Sequence, residues 1–207
     1  LATSVTRDFQ ATILQNAITH AGYLGCQSAY GNVTVVDHLH AYKDVHPWLQ
    51  VTPDTLDVMY LSPEATQVLE LPGADEVLVG ESFSIKAGDV VVISDCRHAE
   101  IVKASSVRTA NQKTKIVFEQ SLSYEYEGFV TIGKLIVNQF YLKNTSRRDE
   151  RGNRIKSLYV RNTSGRNQET VLGINALSFL KSNNNIDVNL TFSQGDHYNF
   201  SVVCENC

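Results

Sequence analysis

The chain has 207 residues, with 43% apolar and 19% charged side chains and a formal net charge of -4 from 22 acidic and 18 basic groups. A chain of this length buries roughly 70% of its unfolded surface, and the near-average composition excludes collagen-like, low-complexity and intrinsically disordered classes. No run approaches the roughly 18 apolar residues of a spanning helix, and no charged-plus-apolar leader opens the chain. The first residue is Leu1, not Met, which suggests a processed or truncated N-terminus.

From Thr3 to Gly22, Val5, Phe9, Ile13, Ala17 and Ala21 recur at four-residue steps, with Leu14 and Ile18 widening the stripe. That spacing predicts one amphipathic helix whose Val5, Phe9, Ile13 and Ala17 face packs against the rest of the chain. Gly22 and Gly25 supply its stop signal. The stretch from Tyr30 to Pro53, with His38, His40, His46 and Trp48, has weak periodicity and reads as an irregular surface connection.

Thereafter short runs rich in β-branched residues predict strands, beginning with Thr55 to Tyr60 and Asp89 to Ser94. Further strands are predicted at Ile101 to Val107, Leu135 to Leu142, Ser157 to Asn162, Ala176 to Lys181 and Tyr198 to Cys204. Gly88-Asp89 and Arg151-Gly152-Asn153 carry turn chemistry, and Asn183 to Asn185 reads as a loop. One helix followed by successive strands predicts an α+β fold, a helix packed on antiparallel sheet, in a single domain over residues 1–207. The densest basic cluster, Arg147 to Arg154, contains Asp149 and Glu150 and reads as a solvated loop, so no nucleic-acid partner is expected.

Four cysteines, Cys26, Cys96, Cys204 and Cys207, fit two disulfides in an oxidising compartment or four thiols in a reducing one. Three pairings exist; Cys26–Cys96 with Cys204–Cys207 is preferred because the last two share one short terminal segment. Cys204-Glu205-Asn206-Cys207 has C-x-x-C spacing, but nothing follows Cys207 to lower a thiol pKa, so a structural disulfide is the expectation. No second C-x-x-C or H-x3-H accompanies it, so no zinc is expected and His38 and His40 read as surface residues.

Ser94, Asp95, Cys96 and His98 cluster in sequence, yet triads are defined by geometry and not by adjacency. No G-x-S-x-G, H-E-x-x-H, Walker A or G-x-G-x-x-G occurs. Neither catalytic residues, nor a cofactor, nor a small-molecule substrate is expected. Sequons at Asn32, Asn144, Asn162, Asn189 and Asn199 matter only in a eukaryotic secretory pathway.

Several stretches together resemble the PilW family of type IV pilus assembly proteins. Ala21-Gly22-Tyr23-Leu24-Gly25-Cys26 resembles its Ala-Gly-aromatic-x-Gly-Cys element, and Asp54 to Tyr60 its Asp-x-Leu-x-Val-x-Tyr strand. Gly88 to Ala99 resembles its Gly-Asp, apolar strand and Asp-Cys pair. Tyr141, Ser157 to Arg161 and Glu169 to Ile174 resemble its closing Tyr, Leu-Tyr-Arg and Leu-x-x-Gly-Val elements. The matches run in order from about residue 1 to residue 181, and the tail from Ser182 has no counterpart.

The resemblance implies a type IV pilin-like fold, with residues 1–25 as the second half of the pilin helix and 26–207 as a β-rich head. It implies a Cys26–Cys96 staple from helix end to strand end. It implies a minor pilin that helps to initiate pilus assembly and joins the tip complex. The partners implied are other minor pilins, the major pilin, and the inner membrane through an apolar half-helix preceding Leu1. The implied location is the inner membrane, with a periplasmic domain, before assembly and the pilus tip afterwards. A GspJ-like pseudopilin of type II secretion and a secreted adhesive module are the alternatives.

Overall fold

A computed structural model describes residues 12–25, 33–41, 49–80, 84–163, 165–193 and 195–205. A helix, α1, covers residues 12–20. Then come β1 (Thr34–Asp37), β2 (Leu49–Val51), β3 (Thr55–Leu61), β4 (Thr66–Gly73), β5 (Glu76–Gly80), β6 (Val90–Ser94) and β7 (His98–Ala110). The remainder is β8 (Lys113–Phe118), β9 (Thr131–Arg148), β10 (Arg154–Arg161), β11 (Asn167–Leu172), β12 (Ile174–Ser182), β13 (Asn185–Phe192) and β14 (His197–Val203).

The protein is therefore mostly β, with 61% strand, 5% helix and a mixed sheet of 11 strands, which overturns the expected pilin-like α+β plan of a helix packed on antiparallel sheet. The physical reason lies in the patterning. Helical spacing ends at Gly22, whose φ of 74 leaves the helix and whose N–H passes to Met59 O at 2.8 Å. Period-2 alternation and β-branched runs dominate the sequence beyond it. Nor is the sheet purely antiparallel, because β1 pairs with β7 in parallel, Thr34 opposite His98.

The chain divides into two compact units, residues 1–22, 46–59 and 137–207 in one, and 23–45 and 60–136 in the other. In the second unit, β6 is buried through Val91, Val92, Ile93 and Ser94, as a strand flanked by β7 and β9 should be. Val77, Val79, Val102, Ile116 and Ile132 close the same core. Each such side chain contributes roughly 1.5–3 kcal/mol of hydrophobic stabilisation.

In the first unit, α1 buries Leu14, Ala17 and Ile18, with Ala21 just after it, while Ile13 is half-buried. The centre of the packed stripe is thus the pair that widened the predicted one; Val5 and Phe9 lie outside the described residues. Strands β12, β13 and β14 form an antiparallel sheet that buries Leu177, Phe179, Ile186, Val188, Leu190 and Phe192. Its other face is mixed, with Ser178, Asn189 and Asn199 in one cross-strand row and Leu180 and Val203 exposed beside them. Strands β9, β10 and β11 form a second antiparallel group, turned at Asp149 to Asn153 and Asn162 to Arg166.

Candidate functional site

The polar interior of the second unit is organised by Glu100. It lies on β7 between Ala99 and Ile101, and its carboxylate is fully buried. Ser123 N donates to it at 2.8 and 3.0 Å, Tyr124 N at 3.0 Å and the Tyr126 hydroxyl at 3.2 Å. His38 Nε2 makes a short contact with its other oxygen. A buried carboxylate with four donors is compensated rather than stranded. Its effect is to tie the end of β1 and the connection after β8 to the start of β7.

His38 is therefore not the surface histidine expected, since only 16% of its side chain is exposed. His40 is exposed, and His46 and Trp48 lie outside the described residues. Ser123 Oγ sits 3.5 Å from His38 Nε2, the same nitrogen that faces Glu100. A nucleophile–base–orienter relay uses both ring nitrogens, one toward the hydroxyl and one toward the carboxylate. With both partners on one nitrogen, this arrangement fixes structure and does not pass a proton from Ser123 to Glu100.

Beside it, the cluster Ser94-Asp95-Cys96-His98 forms the turn joining β6 to β7. Asp95 Oδ1 accepts from Arg97 N at 2.9 Å and His98 N at 2.7 Å, and Ser94 Oγ accepts from Cys96 N at 3.2 Å. Burial alone would raise the Asp95 carboxyl, but the His98 and Arg97 amides outweigh it and hold the carboxyl below its usual range. His98 Nδ1 is 3.5 Å from Asp95 Oδ2, and the His98 ring stacks on Tyr124 at 4.2 Å. These four residues thus build a turn.

Cys96 and Cys204 are each disulfide-bonded, and Cys26 and Cys207 lie outside the described residues. The chain leading to Cys26 is shaped by Gly25, at φ +90, where a Cβ would stand 2.4 Å from Thr131 Oγ1. Thr131 Oγ1 also lies 3.4 Å from both Leu24 O and Ser94 O, so the stretches preceding Cys26 and Cys96 meet on this one hydroxyl. Among the described residues no group of three or more His, Cys, Asp or Glu is placed to hold a metal ion.

The Tyr126 phenol is pushed well above its ordinary value, first by burial and then by the Glu100 charge. Its neutral form is thus the one folding favours. That contribution is complete below about pH 10, the unfolded phenol's value, and declines as pH rises beyond it because the unfolded chain ionises first. Tyr126→Phe is expected to cost about 1–3 kcal/mol at neutral pH, as loss of a hydrogen bond to a charged group does. Its stability should also fall less steeply than wild type above pH 10; parallel urea-denaturation curves at each pH would contradict this.

The chain matches no family model, no curated protein and no solved structure.

Proposed function

We propose that the chain is a non-catalytic assembly subunit that works by binding other protein subunits, in the way minor type IV pilins of the PilW kind do. One observation carries the reading: the ordered elements of that resemblance fall where this backbone needs those residues. Gly22 at φ 74 ends α1, and Gly25 at φ +90 leaves no room for a side chain beside Thr131. Gly88 at φ 91 precedes Asp89, whose Oδ2 accepts from Lys86 N at 2.9 Å. Cys96, at φ 73, is disulfide-bonded. Each of these residues meets a requirement of the backbone at its position, which is what supports the reading. The disulfides support an oxidising compartment such as the periplasm.

The reading rests on those elements and on the Glu100 cluster's structural geometry, not on the fold, which departs from the pilin plan. Among the described residues no helix is long and apolar enough to cross a membrane. The test is co-purification of the full-length parent with the minor pilins encoded beside it, together with a count of pili in a deletion strain. Capture of at least one minor pilin and fewer pili are expected. No captured pilin and an unchanged pilus number would move the secreted adhesive reading ahead, for which the tail sheet β12–β14 and its exposed face would be the place to look.

A further inference from the structure

Of the chain's 18 Lys and Arg residues, six fall in the 14 positions from Lys143 to Lys156, against two acids, Asp149 and Glu150. In sequence these six are dispersed among polar residues. Pairing of β9 with β10 turns them into a two-stranded ribbon, with Arg148 opposite Arg154 and Asn144 opposite Lys156. All six cations are exposed. The overall charge of -4 makes the concentration stand out, since the remainder of the chain is correspondingly acidic.

The cations occupy both faces of the ribbon and its tip. Lys143 lies over the Tyr159 ring at 5.6 Å and Arg161 over the Tyr141 ring at 5.5 Å, the two rings stacking at 6.1 Å. Arg147 pairs with Glu169 on β11, across from Tyr159, which puts it on that face too. Lys156, one residue before Ser157 and opposite Asn144, falls on the reverse face by strand alternation. At the tip, Asp149 Oδ1 accepts from Arg151 N and Asn153 N at 2.9 and 2.8 Å, so this acid is spent on the turn. Arg148 and Arg154 sit directly opposite each other, a placement of like charges that weakens a hairpin unless an anion lies against it.

We propose that the β9–β10 ribbon is a binding surface for duplex nucleic acid, seated in the major groove and held by its phosphates. Charge complementarity favours this occupant. A two-stranded ribbon fits a groove about 12 Å wide, and phosphates line both walls, so cations on both faces are engaged at once. A membrane-inserting tip would need exposed apolar side chains. The described large exposed ones, Leu69, Phe129, Leu180 and Val203, all lie elsewhere. The Tyr141 and Tyr159 rings already carry cations, which makes them supports for charge and not free platforms for stacking sugars.

The test is fluorescence anisotropy of the whole chain with a mixed-sequence 20-base-pair duplex, run beside heparin as a sulfated polysaccharide and beside phosphatidylglycerol vesicles. Duplex binding should weaken by about a hundredfold between 50 and 200 mM salt, as roughly four phosphate contacts require. Arg148→Ser with Arg154→Ser should lower duplex affinity at least tenfold while the midpoint of thermal unfolding changes little, because relief of the opposed charges offsets loss of the Arg148 Nη1 bond to Gly152 O. Lys113→Ser with Lys115→Ser, removing the same charge from the other unit, should leave affinity unchanged. No duplex binding at 50 mM salt, equal losses in both double variants, or binding to heparin or vesicles but not duplex would each overturn the proposal.

Discussion

Replacing Glu100 by Ala is expected to destabilise the second unit by about 3–5 kcal/mol, the range seen when one partner of a buried charged network is removed. The magnitude follows from what is left behind. Ser123 N, Tyr124 N and the Tyr126 hydroxyl all point at that carboxylate, and His38 Nε2 contacts it. Each orphaned buried donor costs about 1–3 kcal/mol, partly recovered where water reaches it. Glu100→Gln keeps one acceptor oxygen and most of the shape, so it should fall between Ala and wild type. Chemical denaturation of the three proteins measures this directly. A loss below 1 kcal/mol for the Ala variant would mean that the connection from Glu119 to Val130 does not depend on Glu100.

This cluster also marks where the sequence stops being readable. Glu100 interrupts the apolar stretch from Ala99 to Val102, and a lone carboxylate in such a run signals a buried acid with partners. Its partners lie 62, 23, 24 and 26 positions away, at His38, Ser123, Tyr124 and Tyr126, and no local pattern connects them. By contrast, Thr55–Leu61 and Val90–Ser94 are legible because their β-branched residues and turn-forming flanks act locally.

Strands β5, β8 and β13 were invisible for the opposite reason. β5 has only the five residues Glu76–Gly80, and in β8 and β13 the outward Lys113, Lys115, Asn185 and Asp187 separate the buried residues, so none carries a β-branched run as long as that of Val90–Ser94. The helix misled more seriously. An amphipathic stripe at the start of a chain says only that a helix has a buried face, and its buried centre at Leu14 and Ile18 says nothing about how much β structure follows. The basic ribbon escaped for a topological reason, since Arg148 and Arg154 become neighbours only when β9 and β10 pair.

Loss of the Cys96 disulfide is the second large effect expected. Cys96→Ser should cost about 2–5 kcal/mol, the usual range for a native bridge in a small secreted domain. Cys96 holds a φ of 73 in the turn from β6 to β7, a conformation that L-residues adopt at a cost unless their surroundings impose it. That turn is anchored by Asp95, whose depressed carboxyl contributes stability above its unfolded value of about 3.8 and loses it as pH falls through the lower folded value. The variant should therefore unfold at a higher pH than wild type during acid titration, because less stability remains when the Asp95 contribution disappears. Titration of unreduced, denatured wild type should detect no free thiol, in keeping with the disulfide-bonded state of Cys96 and Cys204 and the absence of free cysteines among the described residues. Peptide mapping without reduction should join the segments bearing Cys26 and Cys96, since Leu24 and Ser94 meet on Thr131. A peptide linking Cys96 to another cysteine would overturn that pairing, and acid unfolding at the wild-type pH would show that the bridge does not brace this turn.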